Sequence, residues 1–257
     1  MTRLMVNNFF EQLKRSVGVA KKDLRIYYKR GPVIIFGLIM PFFLFLSFFI
    51  GRNMPIERLF IGLLGMAIFF SSMSIGPAII PFEASSRTLE RLMSTPIAVW
   101  ALFLGDVIAS FLYGLLISIV PLIIGLVLGI NIIQPLILSL GMVLAALCFS
   151  SFGILLSAYP PTDVPSTAMM ISNLVKFPLV FISGVFIPIS QMQDWGKIIA
   201  SASFSPLTYF TDLVSYCTQE TSYYSIPVDF IALIGFTLLF LTAAIKIHEK
   251  TLPKRLS

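Results

Sequence analysis

The chain has 257 residues, of which 57% are hydrophobic and 12% charged, with a formal net charge of +6. A soluble domain carries about 25% charged residues, so this composition excludes an ordinary soluble protein and predicts an all-α integral membrane protein. The two cysteines, Cys148 and Cys217, indicate no disulfide framework. We expect no cleavable signal peptide, because the first apolar segment is too long for a signal core.

Residues 1–31 predict a basic amphipathic helix on the cytoplasmic side of the membrane. Between Phe9 and Lys29, apolar residues recur at helical spacing with lysines and arginines between them. We expect this helix to lie among the lipid headgroups, where anionic lipid attracts each basic residue by about 1 kcal/mol. Nucleic-acid binding is not expected, because the helix leads directly into a membrane span.

Six apolar stretches are predicted to cross the membrane. About 20 helical residues span the ~30 Å of hydrocarbon in a bilayer. The six predicted spans are 32–50, 59–81, 96–129, 132–158, 167–188 and 229–245. The third would be about 51 Å long at 1.5 Å per residue, so we expect its first turns to project from the membrane.

The segment 189–226 is too short in apolar runs to span and too apolar for a free loop. We expect two short re-entrant helices on the outer side, Trp195–Ser203 and Leu207–Cys217, since broken backbone inside a membrane must be covered by protein or water. Residues 246–257 are predicted to be a basic cytoplasmic tail, with His248 solvated.

The distribution of positive charge predicts the orientation. Fourteen of the 18 Lys and Arg residues lie in the N-terminal segment, the 82–95 loop and the tail. Because cytoplasmic segments carry an excess of these residues, we expect both termini and this loop to be cytoplasmic. The predicted location is the plasma membrane, with several passes.

The most densely charged internal segment is 82–95, between the second and third predicted spans. Apolar residues recur in it at helical spacing, and Glu83 stands four residues before Arg87. The pattern predicts one amphipathic helix with separate apolar and ionic faces. Thr95–Pro96 is typical of a helix start, so we expect the third span to begin there. A solvated loop helix is the alternative interpretation.

This segment also resembles the cytoplasmic loop of type-2 ABC export permeases. The matching residues are Glu83-x-x-x-Arg87-Thr88-Leu89-Glu90-Arg91-Leu92-x-x-Thr95-Pro96, followed by Leu104-Gly105-Asp106. Two later segments, 181–188 and 205–209, are similar to that family's Ser-Gly-x-x-x-Pro and Asn-Pro-Leu-Thr-Tyr segments. Arg87 stands where the family usually has glycine, and Asp106 where a basic residue is frequent. The likeness extends from about Phe9 to His248.

The resemblance implies a permease subunit that exports a hydrophobic or amphiphilic substrate. It implies that 82–95 is a coupling helix that binds a separate ABC ATPase subunit, which would carry the ATP and Mg. The residues assigned to this contact are Glu83, Arg87, Glu90 and Arg91 as polar contacts and Leu89 and Leu92 as the packed face. It also implies a second permease chain, identical or similar, and contact with membrane lipids.

The residue inventory excludes several activities on this chain. No Gly-x-x-x-x-Gly-Lys-Ser/Thr sequence occurs, so ATP hydrolysis is expected on a partner, and we expect no cofactor, metal or catalytic residue here. An intramembrane aspartyl protease is disfavoured, because Phe103 stands where its motif needs glycine. The remaining alternative is an ATP-independent six-span carrier or channel that uses Lys176.

Lys176 lies close to the middle of the fifth predicted span, where an ammonium costs roughly 2.5–3.5 kcal/mol. One interpretation is that the side chain snorkels or lies beside water. The other is that it lines the transport path or pairs with a carboxylate such as Asp106.

Overall fold

The computed structural model describes residues 2–50, 55–158, 164–187, 189–195, 205–219 and 221–255, and among them it contains helices and no strand. The α-helices are α1 (Thr2–Tyr27), α2 (Gly31–Ile34), α3 (Met40–Phe49), α4 (Ile56–Ser72), α5 (Gly76–Ser85), α6 (Thr88–Met93), α7 (Val99–Val127), α8 (Pro135–Ser157), α9 (Pro165–Ile182), α10 (Pro206–Gln219) and α11 (Ile226–Arg255). A π-helical segment joins α2 to α3 over Ile35–Ile39, and a short 3₁₀ turn covers Ile189–Gln191.

Five helical stretches in the described residues are long and apolar enough to cross a membrane. They are Ile56–Ser85, Val99–Val127, Pro135–Ser157, Pro165–Ile182 and Ile226–Thr251. The first predicted span, 32–50, is helical from Gly31 to Phe49, but its apolar stretch Ile35–Ser47 is shorter than the other five. The crossing of the membrane by a sixth span therefore stays a prediction.

Prolines explain two irregularities that the sequence reading missed. Pro41 cannot donate to the carbonyl of Gly37, and the helix widens to a π-helix just before it. The second predicted span, 59–81, is not continuous: α4 ends at Ser72 and α5 begins at Gly76, with Pro77 at its start. Gly153 of α8 meets this break, and a Cβ there would lie 2.9 Å from the Cα of Met73. The break therefore packs directly on the α8 backbone.

The start of the third span was predicted wrongly. The helix α7 begins at Val99 rather than Pro96. The Thr95 hydroxyl donates to the Leu92 carbonyl at 2.6 Å, so it closes the preceding helix α6 instead of opening α7. With 29 residues, α7 is about 44 Å long.

The prediction of a solvated histidine in a separate tail was also wrong. The last helix, α11, continues from Ile226 through the predicted tail to Arg255, and His248 is only 1% exposed. Its ring stacks on Phe103 of α7 with 4.0 Å between ring centroids, and Nε2 lies 2.9 Å from the Ile154 carbonyl oxygen. Because that oxygen can only accept, Nε2 donates the hydrogen. His248 thus ties α11 to α7 and α8.

Of the two predicted re-entrant helices, one is described. The helix α10 covers the predicted 207–217, and its apolar side chains are buried against α4, α8 and α11. Trp195–Ser203 lies almost entirely outside the described residues.

The apolar core has two parts. One surrounds Phe69, Phe70, Phe149 and Phe210, where α4, α8 and α10 meet. The other joins α1, α5, α6 and α7 around Ile79, Leu89 and Phe103. The second part supports the charged segment between α5 and α7.

Candidate functional site at the elbow between α5 and α7

Residues 83–98, which we call the elbow, connect the long helices α4–α5 and α7. The prediction of one helix over 82–95 was wrong, because α5 ends at Ser85 and α6 begins at Thr88. Arg87 lies between them with a positive φ of 54°, the left-handed conformation that favours glycine. The Ser86 hydroxyl donates to the Phe82 carbonyl at 2.7 Å. The break is therefore an ordered turn between α5 and α6.

The turn sorts the predicted contact residues into two sets. Arg87, Glu90 and Arg91 are exposed on the outer face of the elbow. Leu89 is buried and Leu92 partly buried in the core beneath it. Burial of a leucine side chain stabilises by about 1.5–3 kcal/mol, so Leu89 anchors α6 firmly.

Glu83 does not belong to the exposed set. It is 2% exposed at the end of α5, and its carboxylate forms an ion pair with Lys22 of α1. The predicted partner, Arg87, forms no ion pair with any described residue. The left-handed turn separates Glu83 from Arg87, so helical i to i+4 spacing does not apply to them.

The helix α1 holds the elbow from the side, which the sequence reading did not anticipate. The Gln12 amide donates to the Pro96 carbonyl at 3.1 Å, and its oxygen accepts from the Ala98 amide at 2.8 Å. The Phe9 ring stacks on Trp100 with 5.5 Å between centroids. Gln12 therefore satisfies backbone groups at the start of α7, which no residue of α7 itself caps.

One face of α1 docks on α7 while another stays exposed. Gly105 makes the close approach possible, since a Cβ there would lie 2.7 Å from both the Ser16 carbonyl oxygen and the Val19 side chain. On a different side of α1 the apolar residues Phe10, Leu13 and Val17 are exposed. The amphipathic pattern thus has one apolar face against protein and a further apolar strip left uncovered.

Four ionisable side chains meet where α1 crosses α5 and α7. They are Lys22 and Asp23 of α1, Glu83 of α5 and Asp106 of α7, and we call them the Lys22 cluster. Lys22 Nζ lies 3.0 Å from Asp23 Oδ1 and also bonds Glu83 Oε1. Burial alone would lower the pKa of Lys22, but the three carboxylates outweigh it and raise that pKa above its usual range. Burial raises the pKa of Asp23, and contact with Asp106 and Lys22 only partly offsets it.

Lys176 does not pair with Asp106, which was one predicted possibility. Lys176 is 2% exposed within α9, and its Nζ lies 6.0 Å from the centroid of the Phe70 ring. It forms no ion pair with the carboxylates of the described residues. An aromatic face attracts a cation, so Phe70 offsets part of the cost of burial.

The helix α9 also borders an apolar cavity of about 750 Å³, which Lys176 does not line. Its wall is made by α9 together with Phe36 and Phe82, and is lined by Met169, Met170, Asn173, Leu174 and Phe177. A second cavity, of about 650 Å³, is lined by polar residues at the α4 start and α10, including Arg58, Asp212 and Ser215. Among the described residues, no group of His, Cys, Asp and Glu could hold a metal ion.

Comparison with known proteins gives the family. The family model for ABC-2 family transporter proteins matches residues 51–246, about three quarters of the chain. The chain belongs to the ABC-2 transporter family. The match includes the elbow, α9 and Lys176, whereas α1 lies before it. No curated protein matches the chain.

As an ABC-2 family member whose described residues include five helical stretches long and apolar enough to cross a membrane, the chain is a multi-pass membrane permease of an ABC transporter. This confirms the family that the loop residues of the sequence indicate. Membership in an ABC transporter also implies an ATPase partner. Within such a transporter, an ABC-2 family permease is the membrane subunit.

Proposed function

We propose that this permease is the membrane-spanning subunit of an ATP-driven exporter and that the exposed face of the elbow binds the ATPase subunit. The proposal rests on the different exposure of neighbouring residues at the elbow. Arg87, Glu90 and Arg91 form an exposed charged surface, while Leu89 anchors the same short helix in the core. A charged surface on a short helix that is anchored in the core can bind a partner and also transmit the partner's movement.

The covalent connections give movement of the elbow a direct route into the membrane. The helix α6 is six residues long and lies between α5 and α7. Polar contacts on both sides join the elbow to α1, from Glu83 to Lys22 and from Gln12 to the 96–98 backbone. Displacement of α6 by a closing ATPase would therefore move α5, α7 and α1 together.

The α9 surface supports a second permease chain and an apolar path. Met170, Leu174 and Phe181 are exposed on α9, next to the apolar cavity. Two such faces from a homodimer, or from a pair with a similar permease, would enclose a path lined by methionine and phenylalanine. Flexible apolar side chains of this kind suit a hydrophobic or amphiphilic substrate. Lys176 lies on the same helix but is buried, with its ammonium over the Phe70 ring, so it would act on the path only if the path opens toward Phe70 during transport.

The proposed orientation places the elbow, both termini and α1 on the cytoplasmic side of the plasma membrane. The excess of Lys and Arg in those segments supports it. The exposed apolar strip and the basic residues of α1 would then face the inner leaflet lipids.

Charge reversal on the exposed face tests the proposal. Arg91→Glu and Glu90→Lys should each weaken ATPase binding about five-fold or more, because a like-charge contact costs on the order of 1 kcal/mol. The measurement is ATP hydrolysis by the partner as the permease is titrated into lipid nanodiscs. Lys250→Glu and Glu249→Lys are matched controls, since these residues are exposed on α11. Equal stimulation by all four variants would mean that the elbow charges are merely solvated.

A further inference from the structure

The Lys22 cluster holds more negative than positive groups in a place from which water is largely excluded. Asp23, Glu83 and Asp106 are 0%, 2% and 1% exposed, and they share one ammonium, that of Lys22. The neighbouring cation, Arg30, lies over the rings of Tyr27 and Phe82 instead, at 5.7 and 4.8 Å from their centroids. Fully ionised, the cluster would carry two uncompensated negative charges.

The three carboxylates are not equivalent. Lys22 contacts Asp23 and Glu83, whereas Asp106 interacts with Lys22 only at longer range and faces the carboxyls of Asp23 and Glu83. Asp106 Oδ1 is buried and accepts no hydrogen bond from a described residue. If Asp106 were ionised, its Oδ1 would have neither a hydrogen-bond donor nor a directly paired cation, which is costly in a buried position. A neutral carboxyl avoids this cost and can donate to the other carboxylate.

We propose that Asp106 carries a proton that it shares with Asp23, and that this proton keeps α1 docked on α7 and the elbow. The ionisable groups that face it are Lys22, Asp23 and Tyr27 from α1 and Glu83 from α5. The site therefore binds a proton at the contact between α1 and the two helices that the elbow connects.

The direction of the pH effect follows from the sign of the charge. Asp23 and Asp106 hold the shared proton only when α1 is docked, so the proton stabilises the docked state at low pH. This stabilisation is lost as the pH rises and the proton dissociates. After that loss, the like charges of Asp23, Glu83 and Asp106 repel each other across the interface. Alkaline pH should thus loosen α1, and a neutral replacement for Asp106 should remove the effect.

Infrared spectroscopy of the full chain in nanodiscs tests the proton directly. The wild type should show a protonated carboxyl C=O band at neutral pH, well above the ordinary carboxyl pKa of about 4. Asp229 on α11 is also fully buried, and neither of its carboxyl oxygens is hydrogen-bonded to a described residue, so the comparison is made in an Asp229→Asn background. In that background Asp106→Asn should abolish the band, while Glu90→Gln, a change at an exposed carboxylate, should keep it. A spectrum of the Asp229→Asn chain without the band would overturn the proposal, and so would a band in that background that survives both Asp106→Asn and Asp23→Asn.

Trp100, stacked on Phe9 of α1, reports docking. In a Trp195→Phe background it is the single tryptophan, since the chain has two. Its emission should shift to the red as pH rises through the loss of the infrared band, with circular dichroism unchanged, and Asp106→Asn should stay docked with no such shift. If the tryptophan emission had the same pH dependence with and without Asp106→Asn, a role for this proton would be contradicted. No ATPase is needed, so the outcome is independent of the elbow proposal.

Discussion

Single buried polar residues account for much of what the sequence could not reveal. Glu83 and Lys22 are 61 residues apart, and a pattern of local spacing can only suggest the nearby Arg87 as a partner. His248 stands in a basic segment that looks solvated, yet it packs between Phe103 and the α8 backbone. The only local signal was the run of apolar residues that leads into the segment. In each case the partner comes from a distant helix, which one sequence does not show.

The buried charge of Lys176 can be tested by substitution. Lys176→Met should raise stability on the order of 1 kcal/mol, because it removes a buried ammonium that no described carboxylate pairs. We nevertheless expect transport to fall, with Lys176→Arg retaining part of it, if the positive charge acts on the path. The measurements are thermal unfolding and substrate efflux at matched expression. Full efflux by the Met variant would show that the charge of Lys176 has no role in transport.

At the scale of elements, the sequence predicted most helices and missed the points where they bend. Apolar length was enough to predict α7 and α8 to within three residues and the existence of α9 and the apolar part of α11, but the predicted 167–188 extends six residues past the end of α9 at Ile182. The break before Pro77 and the turn at Arg87 were missed, because an apolar run continues across the first and helical spacing across the second. These bends place the elbow, so its two faces could not be assigned from periodicity alone.

The left-handed turn at Arg87 can also be tested by substitution. Both Arg87→Gly and Arg87→Ala remove the guanidinium, but only glycine adopts the left-handed conformation without strain. The Gly variant should therefore be more stable than the Ala variant by about 1 kcal/mol, measured by thermal or denaturant unfolding. If the guanidinium contacts the ATPase, both variants should lose ATPase stimulation to a similar degree. Equal stability would show that the turn relaxes in solution.

The whole molecule joins the elbow, α1 and the long helices into one connected structure, and its orientation can be measured. Single cysteines at Ser190 and Ser225, both exposed, should react with a membrane-impermeant reagent in intact cells. A cysteine at Ser86 should react only after the membrane is opened. The background removes Cys148 and Cys217, both buried. Labelling at Ser86 in intact cells would contradict the proposed orientation.

Crosslinking from the elbow can capture the proposed contact with the ATPase in cells. A photoreactive amino acid placed at Ser86, which is exposed on the turn, should crosslink in cells to a protein that contains a phosphate-binding loop, identified by mass spectrometry. The same group at Ser225, near the start of α11, should not. If Ser86 captures no ATPase and the purified permease transports without nucleotide, the chain is an ATP-independent carrier and the account is wrong.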